Sequence, residues 1–450
     1  MKKALAIFTL LTSFLTSANS AGNVELEKKV LSEQLKKLGY MIDKKNNNDD
    51  YNEFYFYSER EYRDRFKQNN NMVRPEVSCE NCAVFNKNNI VMISIYLNDA
   101  INSLNLTEVK RLKMLELTSR SRHGSISNLR LPSSIIYLSI FTFGKEVSDL
   151  RFLSDVDDLK YLSYHDRSLM NLEAIEHLDK LEYLKLSGNR IKDVRSVKNM
   201  PKLKYLDLMR NKVKSVPGDV LPDSIEYLLL GSEVTSLPEK LPNNLVHLSL
   251  GVRHLNHTLN LKQNNKLKVL STGGSSKCKE IGLNIPDSLQ DISATRCRME
   301  KIAFPKNTQL KKVDLENNPI KVIDPPQTHP TIEELSLSNT RITSLDGIEH
   351  FPNLKKLQLR DCKLLIDISA IKHLKQLEEV DLSENIALKD ISPLYHLKNI
   401  RIINLEDAEN ADLPEDPTVW PNIKEFYPPD HYTHEELRKI DAWVYDRKKL

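Results

Sequence analysis

Two short strings in this 450-residue chain combine residue types and spacings suited to chemistry. SCENCAVF sets Cys79 and Cys82 at the CxxC spacing, which can serve a structural disulfide, a metal-binding pair, or a redox couple with a reactive thiolate. A redox couple of that kind opens a helix within a βαβ unit. No βαβ pattern lies behind this string, so a disulfide staple is the favoured expectation and the pair stays open to the other two roles. HYTHEEL supplies His431, His434 and Glu435. Its order, HxxHE, is neither HExxH nor HxxEH, so no metal is assigned there. His254 and His257 in RHLNH read as loop histidines, and no set of cysteines has four-ligand zinc spacing. The chain lacks GxSxG and any phosphate-cradling loop, and holds only 12 glycines. No catalytic residue and no cofactor is expected; the reading is of a protein that is not an enzyme.

The elements that position these side chains recur at a fixed period. LEYLKLSGNRI at 181–191 returns as LKYLDLMRNKV at 203–213, and phrases of this form start at Ile90, Leu112, Ile135, Leu159, Leu181, Leu203, Ile225, Leu245, Leu267, Leu289, Leu310, Ile332, Leu354, Leu377, Ile400 and Ile423. Each interval is 20 to 24 residues, the mark of a solenoid. Within a phrase the fourth and sixth positions are apolar and alternate with variable ones, which predicts a short strand with one buried side. One such strand cannot close a core, and stacking on its neighbours does so. The ninth position is Asn98, Asn189, Asn211, Asn318 or Asn385, with Ser275, Cys297, Thr340 and Cys362 in the same register. An amide there can satisfy backbone groups where the chain leaves the strand. The pattern weakens at Tyr164, Thr272 and Ala294, which replace the sixth-position apolar residue.

With LxxLxLxx[NC]xL on the page, the chain resembles the leucine-rich repeat superfamily. The resemblance implies an α/β repeat solenoid, a curved horseshoe with a parallel sheet on its concave side, and about 15–16 units over residues 89–427. IDISAIKHLKQL and KDISPLYHLKNI resemble the internalin type, in which Asp and Ser precede a short helical turn and can cap it. LPDSIEYLLLGSEVTSLPEKLPNNLVHLSLG, at 221–251, is instead similar to LP-containing repeats of secreted bacterial effectors and to FNIP repeats, and its prolines predict extended segments. Some such effectors carry a ubiquitin ligase with a catalytic Cys-x-Asp. None of the 5 cysteines here has Asp two residues on.

MKKALAIFTLLTSFLTSANSA has the form of a secretory signal peptide: Lys2 and Lys3, an apolar run from Ala4 to Leu15, and small Ala18 and Ser20 before a cleavage point near Ser20–Ala21. The expectation is residues 1–20 removed and an exported chain, secreted or periplasmic, with no stable membrane insertion. Residues 21–88 are expected to be an N-terminal helical cap region, with Val24, Val30, Leu31, Leu35 and Leu38 at near-helical spacing and an aromatic-dense stretch, YNEFYFYSEREYRDRF, after a polar loop. A C-terminal helical cap is expected over 428–450, presenting Leu437, Ile440, Trp443 and Val444 on one face. Net charge is +3 from 65 basic and 62 acidic residues, which gives no argument for nucleic acid.

What remains is a surface. The third strand position reads Tyr137, Tyr161, Tyr183, Tyr205, Tyr227 and His247 over consecutive phrases, which predicts an aromatic column on the concave face. Tyr is enriched at interaction hot spots, and in a repeat strand it also simply covers the sheet. Further along come Asp314, Glu316, Glu334 and Asp381, with Glu333, Glu378, Glu379 and Glu384, partly offset by Lys355, Lys356 and Arg360. An acidic stretch on a rigid sheet steers basic partners. The expected function is binding of a protein ligand through the concave face. A host-directed virulence factor is one alternative, and a carbohydrate- or envelope-binding protein with sugars stacked on the tyrosines is another.

Overall fold

The structure is a computed structural model. It describes the strands Tyr40–Lys45, Tyr51–Ser58, Cys82–Asn86 and Asn89–Leu97, and residues 104–432 apart from 120–128, 143–148, 252–258, 275–277, 280–283, 303–308, 326, 415–418 and 431. The chain divides into two compact units, Met1–Asn211 and Lys212–Leu450.

The first unit opens with β1 (Tyr40–Lys45), β2 (Tyr51–Ser58) and β3 (Cys82–Asn86), which run antiparallel to one another in sequence order, and β3 pairs antiparallel with β4 (Asn89–Leu97). From β4 onward the strands are parallel: β5 (Met114–Ser119), β6 (Tyr137–Phe141), β7 (Tyr161–His165), β8 (Tyr183–Lys185) and β9 (Tyr205–Leu208). The second unit is parallel among its described strands: β10 (Tyr227–Leu230), β11 (His247–Leu250), β12 (Val269–Gly273), β13 (Asp291–Thr295), β14 (Lys312–Asp314), β15 (Glu334–Ser336), β16 (Lys356–Gln358), β17 (Glu379–Asp381), β18 (Ile402–Asn404) and β19 (Glu425–Tyr427).

The period-two alternation is what the strands obey. In β7, β12 and β13, buried residues alternate with half-buried ones. The phrase-opening residues Leu112, Ile135, Leu159, Leu181 and Leu203 in the first unit, and Ile225, Leu245, Leu267, Leu289, Leu310, Ile332, Leu354, Leu377 and Ile400 in the second, are all fully buried. Each such burial contributes about 1.5–3 kcal/mol, several times an exposed ion pair, so the apolar column sets the register.

Packing alone leaves the backbone of each turn unsatisfied, and buried asparagines supply the partners. Asn189 Nδ2 donates to Tyr164 O at 2.8 Å and Leu186 O at 2.9 Å, and its Oδ1 accepts Asp166 N at 3.2 Å. Asn211 bonds Leu186 O and Leu208 O in the same way, and accepts Ile191 N at 3.0 Å. In the second unit Asn318 donates to Ala294 O and Leu315 O, both at 2.8 Å, while accepting Cys297 N and Met299 N, both at 3.0 Å. Asn385 donates to Leu359 O and Leu382 O. Thr340 and Cys362 contribute single arms to Leu337 O, at 2.7 and 3.2 Å. The residue before the rung turns left-handed in each case, at φ values from 53° to 79° for Gly188, Arg210, Asn317, Asn339, Asp361 and Glu384. At Gly188 a Cβ would sit 2.1 Å from His165 Cε1, and its φ of 79° also favours glycine.

One weak point in the sequence pattern has its own solution. Tyr164 is fully buried in place of a leucine, and its hydroxyl donates to Asp166 at 2.9 Å. The buried Asp166 carboxylate also accepts Ser168 N and Leu169 N, at 2.8 and 3.1 Å, and so takes over the turn.

Opposite the sheet, the two repeat types diverge as their sequences imply. Ser369–His373 and Ser392–His396 are short 3-10 turns, and Asp367 and Asp390 accept the amides of Ser369 and Ser392 at 2.7 and 2.9 Å. The serines themselves make no side-chain cap. Residues 214–246, rich in LP pairs, have no helical turn and are held by backbone bonds such as Val216 N to Ser236 O at 3.1 Å.

The described residues of the expected N-terminal helical cap are strands, not helix, because YNEFYFYS is dense in aromatic residues that favour the extended chain. The helix expected around 24–38, the signal segment 1–20 and the C-terminal helix with Leu437, Ile440, Trp443 and Val444 lie outside the described residues, as do His434 and Glu435. Cys278 is bonded to Cys297 with Cα atoms 5.2 Å apart. Cys79 also lies outside the described residues, and the Cys79–Cys82 staple remains an expectation.

Asn318→Ala should lower stability by about 2–4 kcal/mol in urea unfolding, since four hydrogen bonds to buried backbone groups are lost at once. Lys355→Ala, which breaks only an exposed pair with Glu333, should cost under about 1 kcal/mol.

Candidate binding surface

Parallel, in-register pairing fixes where the third-position side chains lie. Tyr137 aligns with Tyr161, Tyr161 with Tyr183 and Tyr183 with Tyr205. Their rings stack face to face, with centroids 4.1, 4.2 and 4.0 Å apart and interplanar angles of 14°, 11° and 7°. Tyr161 and Tyr183 therefore have both faces covered, and the column offers ring edges and hydroxyls rather than open π faces. Tyr137 caps the row by donating to Glu116 at 3.2 Å. In the second unit Tyr227 and His247 align, with ring centroids 5.9 Å apart.

A second, shorter stack flanks the first. Phe141 lies on His165 at 4.7 Å and 11°, and His165 Nδ1 meets Ser187 O at 2.6 Å. Between the two stacks run Ser139 and Ser163, so β6 and β7 carry aromatic walls with a small hydroxyl floor. The sequence signal for this was the pair YLSIF and YLSYH, whose fifth positions are also aromatic rings.

Burial pushes the phenols of Tyr137, Tyr161, Tyr183 and Tyr205 above the ordinary tyrosine range, and at Tyr137 the neighbouring Tyr161 and Glu116 add to it. Burial pulls the His247 imidazole down.

The acidic stretch is not bare. Lys312 bridges to Glu334 at 2.6 Å, Lys356 to Glu379 at 2.5 Å, Lys355 to Glu333 at 2.8 Å and Arg401 to Glu378 at 2.9 Å. Arg360 pairs with Glu384. Asp314 accepts Ser293 Oγ at 2.9 Å and Glu316 N at 3.0 Å. Glu316 accepts the Asn317 amide at 2.7 Å, and Asp381 accepts Ser383 N and Oγ. Read along the strands, Asp291, Lys312, Glu334, Lys356 and Glu379 alternate in sign, which the linear sequence hides because successive members lie 21 to 23 residues apart.

Comparison with known families agrees with this repeating strand and rung. A family model described as leucine-rich repeats in two copies matches residues 179–222, the stretch that contains the Asn189 and Asn211 rungs. The chain is a leucine-rich repeat protein. A second model, described as the leucine-rich repeat domain of the endo-beta-N-acetylglucosaminidase EndoS, matches residues 331–419. No curated protein matches the repeat chain in sequence.

Solved leucine-rich repeat structures are similar to it at low identity. A leucine-rich repeat protein of Leptospira interrogans is 20% identical, with 74% of this chain and 89% of that one covered and a TM-score of 0.50. An internalin of Listeria monocytogenes is 18% identical, covering 67% and 84%, with a TM-score of 0.44. The functional domain of InlJ from the same organism, described as including a cysteine ladder, is 16% identical over 73% of each chain, with a TM-score of 0.45. Among the described residues no helix is long and apolar enough to cross a membrane.

The raised phenols give a pH test. A tyrosine whose folded pKa lies above its unfolded value near 10 favours the fold below that pH, and the contribution is lost as pH climbs through the folded value. Replacing the four stacked tyrosines by Phe should therefore flatten the fall of stability above about pH 10, followed by urea unfolding at stepped pH. An unchanged slope in the variant would show that these phenols ionise normally in the fold.

Proposed function

We propose that the chain is an exported binding protein whose partner is another protein, engaged through the open face of the first unit's sheet. The observation that carries this is the stack of Tyr137, Tyr161, Tyr183 and Tyr205. Mutual stacking already immobilises the rings, so a partner meeting their edges loses little further side-chain entropy on docking. Phe141, 39% exposed beside this strip, adds apolar area of the kind that anchors an interface. Function on this reading comes from shape and adhesion, with no chemical step.

Export is supported by the signal-like first 20 residues and by the Cys278–Cys297 disulfide, a bond favoured in oxidising compartments. A host-directed role uses the same surface with a different address, and the internalin likeness, at its TM-scores, adds nothing to choose between them. Sugar stacking on the column is disfavoured, because the ring faces it needs are occupied by neighbouring rings.

Affinity capture from envelope and host-cell extracts tests the reading. A variant with Tyr161 and Tyr183 changed to Ala should lose its partner by at least roughly tenfold, the scale of one hot-spot residue, while the Tyr→Phe pair, which keeps the stack, should lose less. Equal retention by both variants would move the interface off this strip.

A further inference from the structure

The second unit holds a hollow on the strand face that carries its alternating charges. It has a volume of about 230 Å³ and extends over β12 to β16. Its floor is low because Ser271, Ser293 and Ser336 occupy consecutive or near-consecutive strands, and its rim is built by taller side chains including Lys312, Glu334 and Lys356. Five strands at about 4.8 Å spacing give it a length near 19 Å. Pockets for drug-sized ligands run to roughly 300–1,000 Å³, so this one suits a thin, elongated ligand lying across the strands.

The polar groups define what that ligand can be. Lys312 is held by Glu334 at 2.6 Å and Lys356 by Glu379 at 2.5 Å, so the two ammonium groups are already neutralised. An anion would compete with those carboxylates and face Asp291 and Asp314 as well. A cation would meet both lysines. Each ammonium has three donors and each carboxylate oxygen more than one lone pair, so both pairs retain capacity toward a neutral ligand. A hydroxyl donates and accepts at once, and one hydroxyl can bridge the ammonium and carboxylate of a pair or join the Ser293–Asp314 bond. Side-chain anchors of a peptide need deep apolar or aromatic pockets, and the residues lining the hollow include no aromatic ring.

We infer that this hollow is a binding site for a neutral oligosaccharide, seated across β12 to β16 and held by bridged hydroxyls. It neither uses nor needs the tyrosine strip of the first unit. With no ring to stack on, the affinity is low, with a Kd of about 1 mM for a few sugar units. Useful retention would then come from a polymer with many copies.

Saturation-transfer NMR on the whole chain, with chitotriose, maltotriose, cellotriose and mannotriose as probes, decides this. At least one trisaccharide should give transfer signals. Those signals should fall at least tenfold in Ser293→Phe, which fills the floor, and should persist in the Tyr161→Ala, Tyr183→Ala variant. Ser271→Phe, on the neighbouring strand, is the second filling variant should the first fail to fold. The inference is overturned if no probe gives signals, if signals survive both filled floors, or if a Gly-Ser hexapeptide gives the same signals as the sugars. None of these results bears on protein capture by the tyrosine strip, so the two readings fail separately.

Discussion

Turns of the solenoid bury backbone N–H and C=O groups that no strand can pair, and at Asn189, Asn211, Asn318 and Asn385 one side-chain amide resolves this. Asn318 shows the full arrangement: two carbonyls and two amides, drawn from two successive repeats, converge on two side-chain atoms, Nδ2 and Oδ1. The rung is buried, and an amide offers two donors and an acceptor oxygen on one short side chain. Where present, the rung goes with a left-handed residue before it and fixes the turn, while the buried apolar column aligns each strand with the next. The stacked tyrosines and the alternating charges are consequences of this alignment. Four rings about 4 Å apart require that no strand slip by a single residue.

Where the amide is missing, other chemistry takes its place, and the replacements differ in strength. Asp166 uses a carboxylate, supported by the Tyr164 hydroxyl and by two amides. Thr340 and Cys362 reach one carbonyl each. Cys297 forms a covalent bond to Cys278 in the preceding loop. Glu233 stands in the rung position within an LP-rich stretch, and backbone bonds such as Thr235 N to Lys214 O at 2.8 Å hold the chain there. The solenoid tolerates this variety because each repeat packs only on its neighbours, so a local substitute need satisfy only one interface.

Much of this was legible in the sequence, and the gaps have physical causes. The phrase-opening leucines, the rungs at Asn189, Asn211, Asn318 and Asn385, and the alignment of the tyrosines all follow from spacing alone, since a parallel in-register sheet converts period into proximity. The Cys278–Cys297 bond was hidden because Cys278 sits three residues past the rung register, in a loop whose path spacing does not determine. The ion pairs were only partly visible for the opposite reason: the acids cluster in sequence, and their basic partners lie one repeat away. At the N-terminal side, the aromatic density of YNEFYFYS was itself a strand signal, obscured by its place next to a helical pattern.

The Cys278–Cys297 bond also has a mechanical meaning. A repeat chain anchored at one end and gripped at the other unravels turn by turn, each turn releasing its contour as its rung breaks. Across this bond the chain cannot lengthen, however far its neighbours have opened. The two cysteines are 19 positions apart, which withholds roughly 65 Å of extension. Strand β13 lies within that loop, so its part of the chain is shielded from load that the hydrogen-bonded turns would otherwise pass on.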